Sequence, residues 1–314
     1  MAVRRPASTA AILSAAVLML SAPLGSALAQ SGVKYRDANG QWIFTDQVPN
    51  AAGTEALHLS HPSEATQIEV RRVNADGMMR LLATNHYLCV VNVRATIDES
   101  SLADVHPGAS YSAAIEPGET RELLQAQTKD GAVTLRYRWY ATLGSPQALH
   151  QPPRPYRAPF ALGASYTVSQ AYPTHITHVT ADSRYAIDIA LPDGTPVYAA
   201  RAGTVINLRH DAFVGAIDPA FLDQANVIEI LHDDGTIGLY AHLHWDSIRV
   251  HLGQHVALGE YIADSGNTGF TSGPHLHFAV WRNSPGGEIA VPVAFAGPGG
   301  APITPETGVA LTAY

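Results

Sequence analysis

A single cysteine, Cys89, stands in the 314 residues, so no disulfide can form within the chain. It lies in the strand-like run Tyr87-Leu-Cys-Val-Val-Asn-Val93 and reads as a small buried hydrophobe, which leaves thiol-protease chemistry without a nucleophile. No Gly-x-Ser-x-Gly elbow occurs, so the familiar serine-hydrolase signature is missing as well. Charged residues make up only 15% of the chain. The 19 Lys and Arg are outnumbered by 27 Asp and Glu, for a formal net charge of −8. A nucleic-acid partner normally needs a basic footprint, and none is present. Beyond the N-terminus no apolar run approaches the roughly 20 residues that span a bilayer. Helical periodicity is almost absent too.

What is present is apolar and rich in histidine. The hydrophobic fraction of 46% is enough to fold around real cores, and the length suggests two or three domains. Ten of the 15 histidines fall between His175 and His277. Histidine is the commonest metal ligand and titrates near neutral pH, so this clustering directs attention there.

The N-terminus reads as a targeting segment. Arg4 and Arg5 precede an uncharged apolar stretch from Ala10 to Leu20, and Ala27-Leu28-Ala29 offers small residues for cleavage. Residues 1–29 are therefore expected to be a signal peptide, with export to the periplasm or the medium and no integral membrane segment after cleavage. Residues 30–62 are expected to hold a small β-hairpin domain. In it Asn39-Gly40 turns VKYR back onto QWIFT, and the Tyr…Asp…Gly…Phe-Thr-Asp…Pro spacing resembles a short domain of proteobacterial envelope proteins.

Between 63 and 144, short β-rich runs alternate with Asp76-Gly77, Pro107-Gly108, Pro117-Gly118 and Asp130-Gly131, which predicts a small β-sandwich-like domain. Five prolines in 145–159 predict a stiff linker. Residues 160–300 are again strand-rich, and 301–314 are left as a tail. The fold class is all-β.

Three elements in the C-terminal half carry chemistry. In Gly273-Pro-His-Leu-His-Phe-Ala-Val280, strand alternation projects His275 and His277 to one face. Asp188 interrupts the apolar strand Tyr185-Ala-Ile-Asp-Ile-Ala190, where a buried carboxylate needs a cation, a donor set or a metal. In Leu239-Tyr-Ala-His-Leu243, alternation places Tyr240 beside His242. The Gly266-Asn-Thr-Gly269 turn lacks P-loop spacing and reads as structural. His210, His232, His244, His251 and His255 match no motif and are expected at the surface, as are His58, His61, His86, His106 and His150.

Taken in order, YAIDIALPDGTPVYAARAGTV, NVIEILHDDGTIGLYAHL, VHLGQHVALGEYIADSGNTG and SGPHLHFAVWRN resemble the lysostaphin-like (LytM-type) zinc endopeptidases over residues 160–293. The resemblance implies an antiparallel β-sheet peptidase domain with one Zn2+ per chain, acting on peptidoglycan muropeptides as a monomer. It implies Asp188 and His277 as metal ligands, His275 as general base, His242 as oxyanion or proton-transfer partner, and Tyr240 as a substrate contact.

One position departs from the usual His-x-x-x-Asp pattern, because Arg184 stands four residues before Asp188. A family variant with Ser-His and a short loop before the aspartate fits Thr177-His178. His178 is then the first ligand, with His175 as the reserve. The competing expectation is a catalytically inactive family member that binds peptidoglycan or activates an amidase. The N-terminal segment favours D-alanyl–diaminopimelate crosslinks over glycyl-glycine bridges.

Overall fold

The computed structural model describes residues 32–36, 42–45, 55–57, 67–128, 133–174 and 176–314. The signal-like segment 1–29 and His58, His61 and His175 lie outside the described residues. Near the N-terminus the strands Gly32–Arg36, Trp42–Thr45 and Glu55–Leu57 form an antiparallel sheet with the first strand in the middle. Val33 pairs with Thr45 and Arg36 with Trp42.

Residues 67–314 form one compact unit. Its first part is two three-stranded antiparallel sheets. One contains Ile68–Ala75, Met78–Asn85 and Thr120–Gln127, and the other Ser110–Ile115, Val91–Ser100 and Leu135–Leu143. Burial alternates along the start of Val91–Ser100, as expected for a strand with one face in a core. Cys89 is buried here and acts as packing.

The second part is a nine-stranded antiparallel sheet. Its order runs His255–Val256, Gly203–Arg209, Val227–Leu231, Ile237–Ala241, Leu276–Ser284, Ile187–Ile189, Ser165–Gln170 and Ala310–Thr312, with Gly287–Ala290 added beside Leu276–Ser284. The central strands VIEIL, IGLYA and LHFAVW are buried at almost every position. Both of their faces must therefore be covered. Tyr240, Phe278, Val280, Ile228 and Ile230 pack into one core with Phe160 and Phe295. On the opposite face Leu239, Ala279 and Trp281 join Met79, Leu81, Val91 and Leu143 of the preceding sheets in a second core. At about 25 cal/mol per Å2 of apolar surface removed from water, sharing this core stabilises both parts.

Two sequence-based boundaries shift. The proline-rich stretch is pinned down rather than spanning free. Gln151 N donates to Asp234 Oδ2 at 3.0 Å, Tyr156 N to Ala294 O at 2.9 Å, and Tyr156 itself is buried. Residues 310–312 are the edge strand of the large sheet, with Leu311 and Ala313 in its core. A three-residue strand is too short to show alternation in the sequence.

Candidate metal centre

Cross-strand register builds the site. Gln170 pairs with Asp188, Asp188 with His277, and His277 with Ala241. Residues directly opposite in a sheet share a face, so Gln170, Asp188 and His277 form one polar row. A bulge between Val168 and Gln170 brings Gln170 into that row. The row lies on the face whose continuation, at Ala279 and Trp281, is packed by the preceding sheets.

His178 reaches the row from the loop before Asp188. A tight turn returns the chain to the strand: Arg184 N donates to Thr180 O at 2.9 Å and Ala186 N to Ser183 O at 2.8 Å. His178 Nε2 then lies 3.2 Å from Asp188 Oδ2, and His277 Nδ1 lies 2.8 Å from Asp188 Oδ1. One donor atom from each of His178, Asp188 and His277 falls within 4.8 Å of the others. Both imidazoles are buried, and the carboxylate keeps 13% of its side-chain surface exposed. Burial alone would raise the Asp188 pKa. Hydrogen bonds from His178 and His277 outweigh it and hold the carboxyl well below its usual range. Burial pushes His277 down to about 4, so it is neutral and can offer a lone pair. Two imidazole nitrogens and one carboxylate oxygen match a three-ligand zinc site with a position left for water, so the donor set fits that metal.

Two more histidines stand beside this trio. His275 Nε2 is 3.8 Å from Asp188 Oδ1, and its Nδ1 is 2.9 Å from Gly273 O. His242 Nδ1 is 2.7 Å from Thr268 O. A carbonyl only accepts, so in both rings Nδ1 carries a proton and Nε2 faces away from that bond. The His242 and His275 ring centroids are 4.6 Å apart. Burial, reinforced by His275 and His277, pushes His242 down to about 3.

The glycine turn serves His242. Thr268 Oγ1 donates to Leu243 O at 2.9 Å, and a Cβ on Gly266 would come within 2.5 Å of the His244 backbone. Only glycine allows that approach.

Tyr240 is a correction. Its partner across the sheet is Phe278, not His277, so it faces the opposite core. Its hydroxyl accepts the Ala200 N–H at 2.7 Å, and burial raises its pKa. The strand ends at Ala241, and His242 has φ 63°, which breaks the alternation that put the two side chains together. The Tyr240 side chain is fully buried in that core. His232 is a second correction, because it is buried rather than at the surface. Sequence reading also missed Gln170 and Thr268. Gln170 is placed by pairing register, which no local motif carries, and Thr268 by the hydrogen bonds of a turn outside the strands.

The model of Peptidase family M23 matches residues 182–288. This region is a peptidase family M23 domain. The match includes Asp188, His242, His275 and His277 and begins after His178. The peptidoglycan DD-endopeptidase ShyA of Vibrio cholerae is 38% identical over 93 residues, covering 30% of this chain and 19% of that protein. Lysostaphin of Staphylococcus simulans is 27% identical over 120 residues, covering 38% and 22%. The matched M23 region thus spans about a fifth of these relatives' length. Among solved structures, the catalytic domain of lysostaphin from Staphylococcus simulans is 28% identical with a TM-score of 0.29, covering 38% of this chain and 81% of that one. No helix among the described residues is long and apolar enough to cross a membrane.

Proposed function

We propose that the chain is an exported zinc endopeptidase that hydrolyses peptide crosslinks of peptidoglycan. The observation that carries this reading is the convergence of His178, Asp188 and His277 beside two histidines with fixed tautomers. These three side chains would hold one zinc per chain. Bound there, zinc supplies a Lewis acid for the scissile carbonyl and lowers the pKa of its water.

The remaining work is proton transfer by the protein. Amide hydrolysis removes one proton from the attacking water and delivers one to the leaving nitrogen. His275 Nε2 takes the first, since Nδ1 is committed to Gly273 O. His242 faces the same space and, held neutral by burial with its Nδ1 proton given to Thr268 O, can accept and relay the proton through Nε2. Departure of the amine breaks the C–N bond, and the imidazolium of His275 returns the proton to that nitrogen.

The substrate class rests on relatives named as a peptidoglycan DD-endopeptidase and as lysostaphin. The signal-like N-terminus supports delivery to the periplasm or the medium. The test is digestion of purified crosslinked muropeptides by the full mature chain, read by product mass, beside His275→Ala. Appearance of uncrosslinked monomers with wild type only is the expected result. Intact dimers with zinc-loaded wild type would contradict the reading.

A further inference from the structure

We propose that Gln170 is a positioning residue that fixes the His178 loop to Asp188 and so assembles two of the three metal ligands; this rests on the zinc reading above. Gln170 is buried at the end of its strand, opposite Asp188 in register. Its side-chain oxygen accepts the backbone N–H groups of Ile176 and Thr177, both at 2.9 Å. Its amide nitrogen donates to Thr177 Oγ1 at 2.8 Å and to Asp188 Oδ2 at 3.1 Å.

One carboxamide thus uses its acceptor to hold the loop that carries His178 and its donor to orient the carboxylate that His178 faces. The loop has need of such an anchor. His178 lies ten residues before Asp188 in sequence, so strand geometry alone cannot place it. Ile176 and Val179 on either side of it point outward, 70% and 66% exposed, and offer the loop little packing. Removing the amide would free the Ile176 and Thr177 N–H groups from their acceptor and leave Asp188 Oδ2 with His178 alone of its two donors. Groups that hold metal ligands in orientation commonly contribute 10–100-fold to metal affinity.

The test uses the full mature chain with Gln170→Ala and Gln170→Leu, the second keeping most of the side-chain volume. Zinc affinity is measured by competition with a chromophoric chelator. Amide hydrogen exchange at Ile176 and Thr177 is followed in the metal-free protein. Zinc binding weakened about 10–100-fold in both variants, with faster exchange at those two amides, is the expected result. Affinity within twofold of wild type, or recovery with leucine, would overturn the bridging role and reduce Gln170 to packing. Absence of stoichiometric zinc from wild type would contradict the metal reading itself. Unchanged exchange at Ile176 and Thr177 would separately contradict loop anchoring.

Discussion

Two histidines sit at opposite ends of the same strand pair, Val227–Leu231 and Ile237–Ala241, and they are built alike. His242 is 5% exposed and His232 3%. Each commits Nδ1 to a backbone carbonyl, Thr268 O at 2.7 Å and Ala202 O at 2.9 Å. Burial pushes the first to about 3 and the second to about 4. What differs is the company. His242 has the rings of His275 and His277 at 4.6 and 5.9 Å, with Asp188 behind them. His232 packs against the Tyr156 ring and the bare Cα of Gly238, near the Arg201–Asp234 ion pair that anchors the proline-rich strap. Burial, a fixed tautomer and a depressed pKa are properties of any well-packed imidazole. Only convergence with other donor atoms turns one into part of a site.

The largest test of that contrast is activity. His275→Ala should lower kcat by about 10²–10⁴-fold while zinc content holds, whereas His232→Gln should leave kcat within about twofold of wild type. Equal losses at the two ends would break the comparison.

A smaller effect lies in acid stability. The unfolded His232 takes up a proton near pH 6.5, whereas the folded one resists until about 4. Its contribution to stability is therefore full above 6.5 and lost as pH falls towards 4, by about 3 kcal/mol in total. Denaturant titrations of wild type and His232→Gln at pH 7 and pH 4.5 should show a smaller acid loss in the variant. Parallel losses would place the acid sensitivity elsewhere.

Gly238 sharpens the packing side of the contrast, since a Cβ there would lie 2.9 Å from His232 Nε2. Gly238→Ala should destabilise the fold by about 1–3 kcal/mol, with kcat of the folded fraction unchanged. The smallest effect is expected of Tyr240→Phe, which leaves the buried Ala200 N–H without its acceptor. It should lose about 1 kcal/mol or somewhat more and leave KM unaltered. A raised KM without loss of stability would support Tyr240 as a substrate contact.

Most of the sheet was readable from sequence because the turn dipeptides are strong and the strands are apolar. The proposed ligands Asp188 and His277 stood out as polar residues inside apolar strands. Tyr240 misled because alternation holds only within a strand, and the positive φ of His242 ends it. Gln170 was hidden because its partners are fixed by register with a strand 18 residues away and by a loop with no regular pattern. His232 looked like a loop histidine because nothing local reveals that Tyr156, far back in the chain, closes over it. The shared core between the first sheets and the back of the large sheet was equally invisible. Local sequence shows that the central strands are apolar on both sides, but not what covers them.

In the proposed metal site His178, ten residues before Asp188, stands in place of a ligand at position 184. Zinc stoichiometry of the full mature chain, measured by elemental analysis after dialysis, tests it most directly when wild type is compared with His178→Ala. One zinc per chain is expected in wild type and substoichiometric zinc in the variant, with both proteins folded. Full retention of zinc by His178→Ala, or its absence from wild type, would rule out His178 as a zinc ligand.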